Sequence, residues 1–266
     1  MKDLINTVKN TIKESRKLPF AVYSSIKEQQ LLNVPIAKPL FIAVLSGDKK
    51  LGKNHEIKCS AGDFIFLSDS PAINMRNIPN DKEYYALLIE FEYQDFIGLQ
   101  TSLVNKQSYC VGKISVQLAR CLQQYVEYSL WASPELWSLR RKEIIHLLCH
   151  LGHKEVLSMV ANPKVGHKLH DIVSEQIADD LNLDIICEKL GMSESTLRRK
   201  LKAEDTSVQE IKDQAKLGQG LHLLQTTHHS IGLIAEKCGY QSQSRFTDRF
   251  KGRFGITPSE LRKTKA

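Results

Sequence analysis

The chain has no stretch approaching ~18 consecutive apolar residues, so nothing in it reads as a transmembrane helix. Its opening segment, Met1 to Arg16, alternates charged with apolar positions and lacks the unbroken apolar run of a secretory signal. No Cys-x-x-Cys pair exists among the six cysteines, at 59, 110, 121, 149, 187 and 238. Cys187 and Cys238 fall on expected buried faces. Scattered, buried thiols suit a reducing cytoplasm rather than a disulfide framework. Basic side chains are missing from Asp171 to Glu188, where six acidic residues stand. The strand-rich N-terminal half holds no His-x-His pair. It offers only His55, followed by Glu56, where a catalytic metal site would need several His and a carboxylate.

What is present bounds the rest. A chain of 266 residues is long enough for two units, each with its own core. The net charge of +7 points weakly to a polyanionic partner, and its distribution points more firmly. From Lys189 to Ala266 there are 15 Lys and Arg against 8 Asp and Glu, so the C-terminal segment carries the excess.

Residues 1–17 read as an amphipathic arm, with Leu4, Val8 and Ile12 four apart. Over 18–98 the pattern shortens into apolar runs broken by turns: Leu40 to Leu45 before Ser46-Gly47-Asp48, Phe64 to Leu67 after Ala61-Gly62-Asp63, Ala72 to Ile78, and Tyr84 to Phe91. Short strands at this spacing indicate a sandwich or a small barrel. From Lys113 the period becomes helical, with Ile114, Leu118, Leu122, Tyr125 and Val126 on one stripe up to Trp131. Pro134 opens another helix. The pattern lapses around Ala161 to Gly166, which divides the chain into units 1–160 and 168–266.

Within the second unit one pattern occurs twice. Ile186-Cys187-x-x-Leu190-Gly191-Met192 leads to Ser193, Leu197, Leu201 and Lys202; Ile234-Ala235-x-x-Cys238-Gly239-Tyr240 leads to Ser242, Phe246, Phe250 and Lys251. The copies lie 48 residues apart at Ile186 and Ile234, and 49 apart at Leu197 and Phe246, so the second turn has gained one residue. Each copy reads as a short helix, a Gly turn, an N-capping Ser and a second helix with basic and polar groups outward. That is the anatomy of a helix-turn-helix. Ile185, Ile186 and Leu190 are expected to pack inward in the first copy, and Ile231, Ile234, Ala235, Phe246 and Phe250 in the second. Thr257-Pro258-Ser259-Glu260 starts one more helix with a capping box and Pro at its first position.

The run Cys238-Gly239-Tyr240-Gln241-Ser242-Gln243-Ser244-Arg245-Phe246, continued by Arg249-Phe250-Lys251 and Arg253-Phe254-Gly255-Ile256-Thr257-Pro258, closely resembles the signature of AraC/XylS-type bacterial transcription regulators. The likeness covers roughly Leu183 to Arg262. It implies two helix-turn-helix units joined by a long helix, here about Val208 to Gln225, with both recognition helices in successive major grooves. It also implies base contacts at Ser195, Arg198, Arg199, Gln243, Ser244 and Arg245. That accords with Arg pairing bidentately with guanine and Gln with adenine. Ser193, Lys202, Ser242, Lys251 and Arg253 are expected as phosphate anchors. Asp248 departs from the family's usual Arg. It is expected to pair with Arg245 or Arg249, or to read a cytosine amino group. Gly218 and Gly220 are expected to loosen the linking helix.

The N-terminal half resembles, more loosely, the cupin-like barrel and dimerisation helices of such regulators, through Leu45-Ser46-Gly47, Ala61-Gly62-Asp63-Phe64 and the strand layout. The resulting expectation is an α+β chain: a cupin-like β-barrel with dimerisation helices, then an all-α domain. The resemblance implies a small effector in the barrel and a homodimer. The seam would be Ile114, Leu118, Leu122 and Tyr125, unless that stripe packs on its own barrel. His146, Cys149, His150 and His153 share one helix face and could ligate metal, or form only the polar side of a helix buried through Leu147, Leu148 and Leu151. The expected function is sequence-specific regulation of transcription, as an activator controlled by a small effector or by expression level, with double-stranded DNA and RNA polymerase as partners, no membrane, no cofactor, no bound metal and no catalytic step. The rivals are a barrel enzyme with a DNA-binding appendage and a non-specific architectural DNA protein. The second would need minor-groove wedges and a heavily basic arm, which are missing here.

Overall fold

The computed structural model of the chain describes residues 1–13, 17–68, 70–80, 82–99, 108–160, 164–179 and 181–265. In chain order it contains α1 (Lys2–Thr11), β1 (Ala21–Ser25), β2 (Gln29–Ile36), β3 (Leu40–Ser46), β4 (Asp48–Leu51), β5 (Ile57–Ser60), β6 (Asp63–Leu67), β7 (Ser70–Ile78), β8 (Tyr84–Glu90) and β9 (Tyr109–Lys113). There follow α2 (Val116–Tyr128), α3 (Trp137–His150), α4 (Glu155–Met159), α5 (Val165–Glu175), α6 (Leu183–Leu190), α7 (Glu194–Ala203), α8 (Val208–Thr226), α9 (Ile231–Lys237), α10 (Gln243–Phe254) and α11 (Pro258–Arg262). Among the described residues no helix is long and apolar enough to cross a membrane.

The strands form two sheets, in the orders β1-β8-β3-β6-β9 and β2-β7-β4-β5, rather than the closed barrel expected from the resemblance. The central strands explain this layering. Along β3, alternate side chains point to opposite faces, yet the strand is apolar and buried from Leu40 to Leu45. Leu40, Ile42 and Val44 join Ile65, Leu67, Ala86 and Leu88 in a core shared with Leu31, Ile36, Leu51 and Met75 of the smaller sheet. Phe41, Ala43 and Leu45 turn the other way, with Phe64, Phe66, Leu87 and Ile89, onto helices α1 to α4. The central strands of the larger sheet, β8, β3 and β6, are buried on both faces.

That second core corrects the expected seam. Leu118 and Leu122 are 0% exposed and Tyr125 2%, all packed with Phe41, Phe64 and Leu148 inside the chain, and Ile114 is half-buried against the same cluster. Tyr125 also donates its hydroxyl to Pro19 O at 2.8 Å. The stripe is this chain's own core, so it offers no face to a second copy. α1 behaves as its spacing predicts, burying Leu4 and Val8.

The helical half docks on the sheet half. Phe250 and Phe254 of α10 and Leu217, Leu221 and Leu224 of α8 lie in the same cluster as Leu31 and Val34 of β2. A buried polar chain crosses the contact. Gln29 Nε2 donates to Thr264 Oγ1 (2.8 Å), while Gln29 Oε1 accepts from Asn77 Nδ2 (3.0 Å) and Gln225 Nε2 (3.1 Å). Lys49 Nζ donates to Asn77 Oδ1 at 2.7 Å. Lys38 adds an ion pair to Asp171 at 3.2 Å, reaching from the sheet half to α5. Residues 161–163, within the lapse expected between the units, lie outside the described residues, and α5 begins at Val165.

Leu118→Ala should cost about 2–5 kcal/mol through the lost burial and the cavity left behind. Leu118→Glu should cost more and should unfold the sheet half rather than yield a folded monomer. Denaturant unfolding combined with sedimentation checks both, and a well-folded Leu118→Glu protein would contradict the burial.

Candidate nucleic-acid interface

Local chemistry fixes both helix pairs. In the first, Asn182 caps α6 by accepting from Ile185 N at 2.9 Å, and Gly191 ends it at φ +62, a left-handed backbone suited to glycine. Ser193 Oγ accepts from Thr196 N at 3.4 Å and starts α7. Leu197 and Leu201 then seat α7 against Ile186, Leu169, Val173, Ile211 and Ala215. Ile185, expected inward, is exposed; Ile186 takes the core position and Leu190 is half-buried.

The second pair follows the same plan. Ser230 caps α9 through Leu233 N at 3.2 Å, and Ser242 caps α10 through Arg245 N at 3.2 Å. The additional residue of the second copy is Gln241, in the turn ahead of this cap, so α10 keeps its buried face of Phe246, Phe250 and Phe254. Gly239 (φ +71) approaches the backbone so closely that a Cβ would sit 2.8 Å from Ile177 O. Thr257 and Glu260 form the expected capping box of α11, with Pro258 at its first turn. α8 connects the pairs over Val208–Thr226, close to the expected span. Gly220, expected to loosen it, has a packing role instead. A Cβ there would meet the Phe246 ring at 2.7 Å, so the glycine lets α10 lie close on α8.

The buried faces leave the expected readers outward. Ser195, Arg198 and Arg199 on α7 and Gln243, Ser244 and Arg245 on α10 are all exposed, as are Ser193, Lys202, Ser242 and Lys251. Arg198 Nε donates to Glu194 Oε1 at 2.6 Å, one turn earlier on the same helix. Such an exposed pair is worth little and yields readily to a base or phosphate. Arg253 is different. Its side chain is only 13% exposed, with Nη1 donating to Glu210 Oε1 at 2.9 Å and Nε to Asn33 O at 3.1 Å. It holds α10 to α8 and to β2, so its expected role as a phosphate anchor is corrected. Asp248 is exposed and pairs with neither Arg245 nor Arg249, because Arg249 Nη2 reaches Asp213 Oδ2 at 3.3 Å instead.

Between the sheets, α5 and α8 lies a cavity of about 590 Å³. Its walls include Leu31, Ile36, Ile42, Met75 and Leu88, and Lys49 is its buried cation. Burial pushes the Lys49 ammonium down to about 8. Its Nζ lies 5.6 Å from the centre of the Tyr84 ring. Sequence reasoning passed over Lys49. The signal was its pairing with Leu51 on one face of β4, which leaves Lys50 to the other face. His146 and His150 are exposed and Cys149 half-buried, and these three form no ligand cluster among the described residues.

Residues 186–264 match the model of a helix-turn-helix domain. The HTH-type transcriptional regulator GadX of Escherichia coli (strain K12) is 31% identical over 133 residues, which is 48% of each chain. The HTH-type transcriptional regulator YdeO of Shigella flexneri is 36% identical over 99 residues, 37% of this chain and 39% of its own. The chain thus spans about half or less of the curated relatives it matches. Crystal structures of ToxT from Vibrio cholerae share the whole fold. The apo form covers 95% of this chain and all of its own at TM-score 0.69 and 17% identity. A form bound to an unsaturated fatty acid covers 94% and 98% at TM-score 0.65 and 17% identity. The C-terminal half is therefore a paired helix-turn-helix domain. The matched segment accords with the resemblance of the Cys238–Pro258 run to AraC-type regulators.

Arg199→Ala should cost about 1–3 kcal/mol on a cognate site and relax preference at one base pair, whereas Lys202→Ala should weaken all sequences alike. Binding titrations on cognate and scrambled duplexes separate the two; indistinguishable behaviour would dissolve the distinction between reader and anchor. Asp248→Asn should tighten binding to random DNA, because a lone carboxylate on a DNA-facing helix repels phosphate. The gain should shrink as salt rises. Curves at two ionic strengths test this, and a loss of preference at one base pair without general tightening would mark Asp248 as a reader of cytosine.

Proposed function

We propose that this chain is a sequence-specific, DNA-binding regulator of transcription, an activator that sets two recognition helices in successive major grooves. The observation carrying this reading is the pair of capped recognition helices, α7 and α10, which bury apolar faces and leave Ser195, Arg198, Arg199, Gln243, Ser244 and Arg245 to solvent. Phosphate anchoring by Ser193, Lys202, Ser242 and Lys251 supplies affinity, and the exposed arginines and glutamine supply readout. The work done is binding: the protein positions RNA polymerase and needs no turnover of its own.

The regulator responds to a small effector held in the inter-unit cavity. Lys38 and Arg141 also line the cavity but are already paired, with Glu92 and Asp95, so the walls around Lys49 suit an apolar body with one anionic end. Leucine, isoleucine and methionine side chains take the body, and Lys49, already buried and hydrogen-bonded only to a neutral amide, lacks a carboxylate partner. A fatty acid satisfies both demands. The ToxT structure with an unsaturated fatty acid gives this reading a precedent within the same fold.

The test is direct titration of the full chain with a long-chain fatty acid. Lys49→Met should weaken binding by about 1.5–3 kcal/mol, the usual worth of a hydrogen bond to a charged group, or roughly ten- to hundredfold. Affinity should also fall as pH rises above about 8, where Lys49 loses its proton and with it the attraction for carboxylate. An affinity flat across that range and unchanged in Lys49→Met would remove Lys49 from the site. Loss of DNA binding by double substitution of Arg199 and Arg245 tests the regulator itself, independently of the effector.

A further inference from the structure

Cys110, His153 and Glu155 meet at the edge of the larger sheet, far from the recognition helices in sequence and outside the residues lining the cavity. Cys110 comes from β9, His153 from the elbow after α3, and Glu155 from the first turn of α4. Their donor atoms form a small triangle. Cys110 Sγ lies 3.6 Å from His153 Nδ1 and 2.9 Å from Glu155 Oε1, and His153 Nδ1 lies 3.4 Å from Glu155 Oε1. We propose that this triangle is a binding site for a borderline-soft divalent cation, with zinc as the natural fit and a water completing the tetrahedron.

The dimensions decide the chemistry. With Zn–S about 2.3 Å and Zn–N and Zn–O about 2.0–2.1 Å, tetrahedral angles put sulfur ~3.6 Å from each lighter donor and nitrogen ~3.3 Å from oxygen. Two of the three sides, 3.6 and 3.4 Å, already match. Only the Cys110–Glu155 side, at 2.9 Å, must open, and what shortens it is the thiol's hydrogen bond. Metal entry removes that bond. The Cys110 proton leaves to solvent, Sγ gives its electron pair to the cation, and the freed Glu155 oxygen becomes the third ligand. A thiolate, an imidazole and one carboxylate together favour zinc over the hard cations calcium and magnesium.

The frame around the triangle is already set. The His153 ring stands edge-on to Phe64 with centroids 5.0 Å apart. Gly112 on β9 makes room for it, since a Cβ there would lie 2.6 Å from His153 Cε1. His153 N donates to Leu148 O at 2.9 Å, fixing the elbow behind the ring. Cys110 is buried, whereas the His153 and Glu155 side chains are 23% and 30% exposed, which leaves a way in for the ion and a place for water. A bound cation would clamp the α3–α4 elbow to β9. The end of α4 is already tied to the sheet half by Ser68 Oγ, which donates to Met159 O at 2.8 Å. The clamp therefore bears on the stretch that leads to the DNA-binding half.

The experiment uses the full chain, stripped with chelator and titrated with cobalt(II). We expect one equivalent to produce a thiolate-to-cobalt charge-transfer band and visible bands of tetrahedral intensity, and zinc to displace them and raise the melting temperature. Cys110→Ser should abolish the charge-transfer band. His153→Gln and Glu155→Gln, both at partly exposed positions, should weaken cobalt binding at least tenfold while leaving the metal-free melting curve close to that of the parent. Cys149→Ser, and His146→Gln with His150→Gln, should leave the spectrum intact. No charge-transfer band in the parent would overturn the site. So would a band that survives Cys110→Ser, or one that disappears in Cys149→Ser but is unaffected by His153→Gln and Glu155→Gln. None of these readouts involves DNA or fatty acid, so failure here is separable from failure of the regulator reading.

Discussion

Gln29 is the residue through which the two halves of this molecule become one. The residue is 1% exposed, and its amide is shared among Asn77 of the same sheet, Gln225 at the end of α8 and Thr264 beyond α11. Lys49 extends the chain from the other side of Asn77. At this burial each of these groups is satisfied by another, since a buried donor or acceptor left alone costs ~1–3 kcal/mol. The network therefore admits one docking geometry and penalises every displaced one. The apolar contacts around it, Phe250 and Phe254 against β2, would tolerate sliding; the amides do not. Arg253, bonded to Asn33 O and Glu210, repeats this logic at the rim.

Much of the helical half was legible because its determinants are local. A capping Ser, a Gly at the turn and hydrophobic side chains at helical spacing announce a helix-turn-helix whatever surrounds it, and the extra residue at Gln241 could be counted. The outward placement of the expected readers was legible for the same reason: burying Leu197, Leu201, Phe246 and Phe250 leaves the other faces out. Arg253 misled because nothing local distinguishes an arginine bound for phosphate from one bound for a carbonyl 220 residues away. Ile185 misled because one position along a short helix is a rotation of about 100°.

The sheet half was legible as strands but not as architecture. Alternation and turn residues placed β3, β6, β7 and β8, yet whether strands close into a barrel or stack as two sheets depends on pairings remote in sequence, such as β1 with β8. The Leu118 stripe has the same ambiguity. An amphipathic helix announces that one face is covered, not whether the cover is its own sheet or another molecule. Cys110 and His153 stand 43 residues apart, so no spacing rule could unite them.

α8 has a consequence that its shape alone conceals. One side of the rod, at Gly218, Leu221 and His222, lines the cavity, and its ends carry the two recognition pairs. Any cavity occupant that alters the set of this rod enters the DNA-binding free energy as a coupling term, and such couplings are reciprocal. Whatever factor the occupant contributes to affinity for the operator, the operator returns to affinity for the occupant. Under the proposed function, a protein seated on DNA would then hold a cavity occupant on different terms from one that is free, and the signal would persist or lapse according to where the protein is, not only how much occupant surrounds it.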